Sequence, residues 1–239
     1  MEKQDITLYH LSDTHNFHQL LNIPEQHIDI IIFSGDESSA RDPYRNEPEA
    51  REFFHWYSNL TATYKVFVAG NHGSSIAKGL ITRKEIEDMG IIYLENDWVE
   101  LFGYKIWGSP YSPTFGDWCF MKARHKMQEL WAHIPEDTDI LITHTPPKGC
   151  LDLSYNRNGE LEFCGCKSLL NRVMQVKPLL SLYGHIHNSP EGILNAGVMK
   201  LANYPTVFSN GSVVTDGKFG KVSSHGNLFK ITDGKVHII

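Results

Sequence analysis

Leu179-Leu180-Ser181-Leu182-Tyr183-Gly184-His185-Ile186-His187 is a mostly apolar run of strand length that breaks, within one residue, into a glycine and two histidines. Such a run reads as a strand covered on both faces. Outward from it, the same join recurs four times. Ile6 to Leu11 leads into Ser12, Asp13, Thr14 and His15; Ile28 to Phe33 into Ser34, Gly35 and Asp36; Tyr64 to Ala69 into Gly70, Asn71 and His72; Ile140 to Thr143 into His144. Five strands thus carry ligand-type side chains at their C-terminal ends, in an order that a single sheet can bring together. In open α/β sheets that edge is where loops converge on a ligand. The glycine before Asp36, Asn71 and His185 predicts a sharp exit from each strand, through a backbone conformation that a Cβ would forbid. Asp13 with His15, and His185 with His187, are two apart, a spacing that turns both side chains the same way on an extended segment.

Further strands are predicted at Ile91 to Leu94, at Trp98 to Phe102 paired with Tyr104 to Trp107, and at Val207 to Ser209, Asn227 to Ile231 and Lys235 to Ile239. Asn210-Gly211 and Asp233-Gly234 read as turns. Phe53, Trp56, Tyr57 and Leu60 fall at i, i+3, i+4 and i+7, as do Met127, Leu130, Trp131 and Ile134, and each set makes one apolar helical stripe for the core. A third helix is predicted from about Cys166 to Val176, ending before Pro178. No repeat or Pro- or Gly/Ser-rich linker divides the chain, so a single domain over 1–239 is expected, of the α/β class with α/β/β/α layers.

With 22 Lys and Arg against 28 Asp and Glu in 239 residues, the formal charge is −6, and 41% of the residues are hydrophobic. That composition is ordinary for a globular protein and excludes collagen-like, coiled-coil and disordered readings. The acidic balance argues against a long nucleic-acid track, which needs a basic stripe. No apolar run approaches the roughly 18 residues of a membrane-spanning helix, and the start MEKQDITLYHLSD lacks the pattern of a signal peptide. A cytoplasmic location with no membrane partner is the expectation. Cys119, Cys150, Cys164 and Cys166 are too few for a disulfide framework, and Cys164-Gly165-Cys166 lacks zinc-site spacing, so plain thiols are expected.

The converging donors are Asp13, His15, Asp36, Asn71, His144, His185 and His187, besides His72. Seven exceed what one tetrahedral ion uses, and they suit two ions with about four ligands each if a carboxylate bridges. Asp36 is the natural bridge. Two divalent ions against two carboxylates leave an excess of about two positive charges, which attracts an anion such as phosphate. Imidazole and carboxylate donors without thiolate favour Mn²⁺, Fe, Zn²⁺, Co²⁺ or Ni²⁺. A hydroxide bridging such ions can attack in line, because metal binding brings the pKa of water down to about 7. His72 and Asn71 are adjacent on what should be an extended exit, so their side chains are expected to point in opposite directions, Asn71 to a metal and His72 to the leaving group.

Asp13-Thr14-His15, Gly35-Asp36, Gly70-Asn71-His72, Thr143-His144 and Gly184-His185-Ile186-His187 together resemble the signature of the calcineurin-like metallophosphoesterases. LSDTHN (11–16), VAGNH (68–72), WGSPYSP (107–113), IPEDTDILITHTPP (134–147) and GCKSLLNRVMQVKP (165–178) are similar to the metallophosphoesterase-domain (MPPED) subfamily, so the resemblance spans about Ile6 to Ser212. It implies a four-layer sandwich of two mixed β-sheets flanked by helices, a dinuclear centre and phosphoester hydrolysis, with cyclic nucleotides and artificial diesters as substrates in several members. One metal, Mn²⁺ first, would take Asp13, His15, Asp36 and His187; the other would take Asp36, Asn71, His144 and His185. His72 would be the non-ligand histidine beside the scissile bond. Some MPPED members lack the first histidine of Gly-His-x-His and bind nucleotide with little turnover; this chain keeps His185. It departs from the pattern at Gly73, where an acidic residue is common, and at Glu37-Ser38-Ser39.

A small phosphoester, a nucleotide first, is the expected partner. Tyr111, Phe115 and Trp118 would stack on a flat group, and Asn16, with His18, and Asn188 would contact a phosphate or ribose. Alternatives are a phosphomonoesterase acting on nucleotides or proteins, a non-catalytic nucleotide-binding or scaffold protein on the same fold, and a nuclease. The complete ligand set disfavours the scaffold, and the net charge disfavours the nuclease.

Overall fold

The apolar runs divide between two six-stranded sheets. The computed structural model describes residues 2–156, 158–217 and 220–239. In chain order the first strands are β1 (Ile6–Leu11), β2 (Ile30–Phe33), β3 (Tyr64–Phe67), β4 (Ile91–Tyr93), β5 (Asp97–Leu101), β6 (Tyr104–Ser109), β7 (Ser112–Pro113) and β8 (Met121–Lys122). There follow β9 (Ile140–Thr143), β10 (Leu153–Tyr155), β11 (Leu161–Phe163), β12 (Leu180–Tyr183), β13 (Gly197–Lys200), β14 (Val207–Asn210), β15 (Asn227–Thr232) and β16 (Lys235–Ile238). The α-helices are α1 (Pro43–Ser58), α2 (Ser74–Ala77), α3 (Arg83–Asp88), α4 (Met127–Trp131) and α5 (Lys167–Val176).

One sheet runs β16-β15-β1-β2-β3-β4 and the other β13-β14-β12-β9-β6-β5. β1 to β4 are parallel, as are β14, β12, β9 and β6, while β15, β16, β13 and β5 pair antiparallel at the edges, so both sheets are mixed. The donor-bearing strands are therefore not on one sheet. β1, β2 and β3 adjoin in the first sheet and β9 and β12 in the second, and the C-terminal ends of both groups meet.

Period-2 alternation sorts the core into layers. Ile30, Ile32, Val66 and Val68 face Ile106, Ile140, Ile142 and Leu182 between the sheets. Ile31, Phe33 and Phe67 face outward onto Phe53, Phe54 and Tyr57 of α1, and Trp107, Leu141 and Tyr183 onto Trp131 of α4 and Leu169 and Val173 of α5. That is the α/β/β/α order. Asp42 caps α1 through the Arg45 N–H at 3.1 Å, and Pro43 fills its first turn. Two stripes outrun their helices: Leu60 and Ile134 still pack on the core but lie beyond the last helical turn.

Asn210-Gly211 is not a turn. Asn210 ends β14, and the chain runs on to bridge Ser212 with Ser12. Asp233-Gly234 is one, both residues having positive φ between β15 and β16. Among the described residues no helix is long and apolar enough to cross a membrane.

Candidate metal centre

The chain leaves its strands under strain where the predicted ligands sit. Asp13, His15, Asp36 and His185 have φ of 54°, 42°, 60° and 70°, a region that costs a non-glycine residue on the order of 1 kcal/mol or more. Cross-strand bonds hold them there: Asp13 N–H donates to Gly35 O at 2.8 Å, His15 N–H to Asp36 O at 3.2 Å and His185 N–H to Asp13 Oδ2 at 2.9 Å. The glycines have a different use from the one expected at two of three positions. Gly35 does adopt φ 112°, but a Cβ on Gly184 would lie 2.0 Å from Asp13 Oδ2 and one on Gly70 2.2 Å from Asp36 Oδ1, so these two leave room for carboxylates.

All seven predicted donors come together. Asp13, His15 and His187 form one group and Asp36, His144 and His185 another, with ligand atoms within 4.8 Å in each. His187 Nε2 lies 3.1 Å from Asp13 Oδ1; His144 Nε2 lies 2.9 Å from Asn71 Oδ1 and 3.3 Å from Asp36 Oδ2; His15 Nε2 lies 3.9 Å from Asp36 Oδ2. Asp36 therefore stands between the groups. His15 Nε2 is buried without a hydrogen-bond partner, as a lone pair reserved for a cation would be. Nitrogen and oxygen donors, two carboxylates and this orphaned nitrogen fit a pair of divalent ions.

The electrostatics agree. Burial pushes His15 down to about 4 and His185 to about 3, so both are neutral donors near pH 7. Burial also opposes charge on His144 and His187, yet Asp36 and Asp13 override it and raise them to about 9 and about 10. Burial disfavours both carboxylates, but the neighbouring histidines hold both below the usual range, His187 foremost for Asp13 and His144 for Asp36. The carboxylates draw positive charge onto their surroundings, which is what a cation site does.

Hydrogen bonds fix the ring orientations. His144 Nδ1 bonds Ser34 O at 2.9 Å, His15 Nδ1 bonds Ser38 O at 2.9 Å, and His72 Nδ1 bonds Ser39 O at 3.0 Å. The unusual segment after Asp36 thus works through its carbonyls. Asn46 of α1 secures it, donating to Ala40 O at 2.9 Å and to His72 O at 2.7 Å. Two supports were missed in the sequence: Ser212 Oγ donates to Asp13 Oδ2 at 2.7 Å, and Asp216 Oδ1 lies 3.0 Å from His187 Nδ1.

Asn71 and His72 do not lie on the extended exit expected of them, although Asn71 Oδ1 meets His144 Nε2 while His72 packs toward Ser39 and Trp118. They sit in a turn closed by Gly73 N–H on Gly70 O at 3.1 Å, and both line a cavity of about 1060 Å³. His72 even brings a ring nitrogen within 4.8 Å of donor atoms of His15 and Asp36. Phe115 and Trp118 also line the cavity, beside His185 (centroids 5.1 Å apart) and His72.

The other predicted substrate contacts lie elsewhere. Tyr111 packs edge-on against Phe120, and Asn16 is exposed outside the cavity lining. Asn188 is buried, with its amide spent on Asn195 N–H, Ala196 N–H and Ser223 Oγ, so it braces a loop. His18 is buried against Phe53 and Trp56. The cysteines are free thiols.

A family model described as calcineurin-like phosphoesterase matches residues 6–189. Metallophosphoesterase domain-containing protein 1 of Homo sapiens is 33% identical over 229 residues, covering 86% of this chain. The chain belongs to the calcineurin-like phosphoesterase family. It spans 65% of the length of that human relative. The TT1561 protein of Thermus thermophilus shares the fold with a TM-score of 0.61 at 13% identity over 99% of each chain. Phosphopantetheinyl hydrolase of Mycobacterium tuberculosis does so at 0.60 and 14%, over 87% of this chain and 89% of its own.

Proposed function

We propose that this chain is a dinuclear-metal-dependent phosphoesterase that hydrolyses phosphodiesters, cyclic nucleotides or related small nucleotide esters first among them. The observation that carries the reading is the meeting of two donor groups around Asp36 on the floor of the cavity. One ion would be held by Asp13, His15, Asp36 and His187, and the other by Asp36, Asn71, His144 and His185. When bound, the ions would activate water and neutralise phosphoryl oxygens; the donor set suits Mn²⁺ first, with Fe, Zn²⁺, Co²⁺ or Ni²⁺ as substitutes.

The residues supply the rest. Asp13 and Asp36 bring only two negative charges, and neutral Asn71 adds none, so the loaded site favours a phosphate. His72 commits its Nδ1 proton to Ser39 O, leaving Nε2 for the leaving-group oxygen. A proton delivered to that oxygen would have to leave from Nε2, because the Nδ1 proton is committed to Ser39 O. Phe115 offers an apolar face beside His185 that suits a flat group, while Trp118 packs on His72.

The test is a hydrolysis panel with Mn²⁺ containing 2′,3′- and 3′,5′-cyclic nucleotides, nucleoside monophosphates and bis-p-nitrophenyl phosphate. Diesters should turn over faster than matching monoesters, an expectation resting on the likeness to metallophosphoesterase-domain proteins. Equal or faster monoester turnover would make it a phosphatase, and no turnover of any member would leave a non-catalytic binding protein.

A further inference from the structure

One wall of the cavity holds none of the metal-ligand candidates. It is lined by Arg124, Lys148, Glu162, Phe163 and Cys164. Its backbone is tied to the metal-ligand segments. Lys148 follows His144 by four residues, and its N–H donates to Cys166 O at 3.2 Å, while Cys166 N–H donates to Pro146 O at 2.8 Å. Asp152 receives Gly149 N–H at 3.0 Å and Gly165 N–H at 2.7 Å, which clamps the base of the β10–β11 ribbon. Buried Asn195 accepts from Leu153 N–H at 3.0 Å and donates to His187 O at 2.8 Å, fastening the same ribbon to a second ligand segment. Lys148 and the β10–β11 ribbon are therefore in fixed register with His144 and His187.

Its charge runs against that of the whole chain. Among the described residues, Arg124 and Lys148 are the Arg and Lys residues lining the cavity, and neither has a carboxylate within 4 Å. Both line the cavity together with Cys164, whose thiol is pushed up by burial and drawn down by the two cations. Glu162 lines the cavity with them, whereas buried Asp152 lies behind the lining with its carboxylate occupied by the Gly149 and Gly165 N–H groups. Phe163, 53% exposed, adds an apolar surface beside the charges. A volume of about 1060 Å³ is far more than one phosphoryl group fills and matches a drug-sized or nucleotide-sized ligand.

We propose that the wall formed by Arg124, Lys148 and Phe163 is a subsite for a second phosphate, so that the preferred phosphoester carries another phosphate away from the scissile one. This rests on the phosphoesterase reading for the first phosphate. The guanidinium offers a planar fork and the ammonium a point charge, a pair suited to a phosphate, while Phe163 covers the connecting moiety.

The experiment is calorimetric binding to the Mn²⁺-loaded full chain of adenosine 5′-monophosphate and adenosine 3′,5′-bisphosphate. The bisphosphate should bind at least tenfold more tightly. Lys148→Ala and Arg124→Ala should each reduce that ratio severalfold and together bring it near one, whereas Glu162→Gln should raise it. Affinities within twofold of each other, or a ratio unmoved in the double variant, would overturn the subsite. Turnover of bis-p-nitrophenyl phosphate, measured alongside, tests the other premise: its absence removes the phosphoesterase reading, and the binding ratio still decides the subsite.

Discussion

The indole of Trp118 lies 4.5 Å, centroid to centroid, from the imidazole of His72, and the Arg41 guanidinium sits 4.9 Å from the same indole. Arg41 also donates to the Asp117 carboxylate at 3.0 Å and to the Asp117 carbonyl. The segment between β7 and β8 is thereby fastened to the segment after β2, with Trp118 as the packing element between them. Much of the indole is engaged by protein, which makes it a support for the His72 ring before it is a platform for substrate.

Trp118→Ala should therefore lower kcat by about tenfold while changing KM little, the expected cost of misplacing a group that acts by proton transfer. Trp118→Phe, which keeps an aromatic face, should recover most of the loss. A double-mutant cycle with His72→Ala is the check: if Trp118 acts through His72, the second substitution adds almost nothing. Additive losses, or a rise in KM alone, would make Trp118 a direct substrate contact.

His72→Ala should retain both metals yet lose about 10² to 10⁴ in rate on a substrate with a ribose alkoxide leaving group, a barrier increase of roughly 3 to 5 kcal/mol. With p-nitrophenolate, which departs without a proton, the loss should shrink. Equal losses on both would identify an electrostatic role on the phosphoryl oxygens. Because His72 also approaches His15 and Asp36, metal content must be measured in the same variant; loss of an ion would make it a ligand.

The converging donors were legible because each stands within a few residues of a strand end, where an apolar run and a polar break are read locally. The path of the chain after the break was not. Asn71 and His72 share one cavity because the chain turns at once, a conformation held by Asn46 far away in sequence. Asn188 looked available for substrate because its partners, Asn195, Ala196 and Ser223, arrive from a later loop. The β10–β11 ribbon has three-residue strands, too short for a period to show. The division of the donor strands between two sheets is likewise a fact of strand order, to which local pattern is blind.

Asp216 illustrates what only the fold reveals. It lies 29 positions after His187, yet its carboxylate meets His187 Nδ1 at 3.0 Å, and its own N–H is held by Asn188 O at 2.9 Å. A carboxylate there orients the ring and raises the basicity of Nε2. Asp216→Ala should weaken metal binding at the Asp13 side by about 10- to 100-fold and leave the other ion in place, as read by competition with a chelator. Unchanged affinity at both positions would reduce the contact to a surface ion pair.

Asp36→Asn is the sharpest test of the paired centre. Asp36 Oδ1 accepts the His72 N–H at 2.7 Å, while Oδ2 faces His144 Nε2 and, more distantly, His15 Nε2. An asparagine can keep the first bond through its carbonyl, so the turn at His72 should survive, but it removes the charge shared by the two donor groups. Elemental analysis should find two ions per chain in Mn²⁺-reconstituted wild type and at most one in the variant. The loss should also appear in stability: a ligand present at 100 times its Kd stabilises the folded state by about 2.7 kcal/mol, so Mn²⁺ should raise the wild-type Tm markedly and the variant's much less. Circular dichroism of the variant without metal, matching wild type, would show that the loss is electrostatic and not misfolding. One ion or none in the wild type would overturn the dinuclear centre, and two tightly held ions in Asp36→Asn would show that the carboxylate between the donor groups is not their bridge.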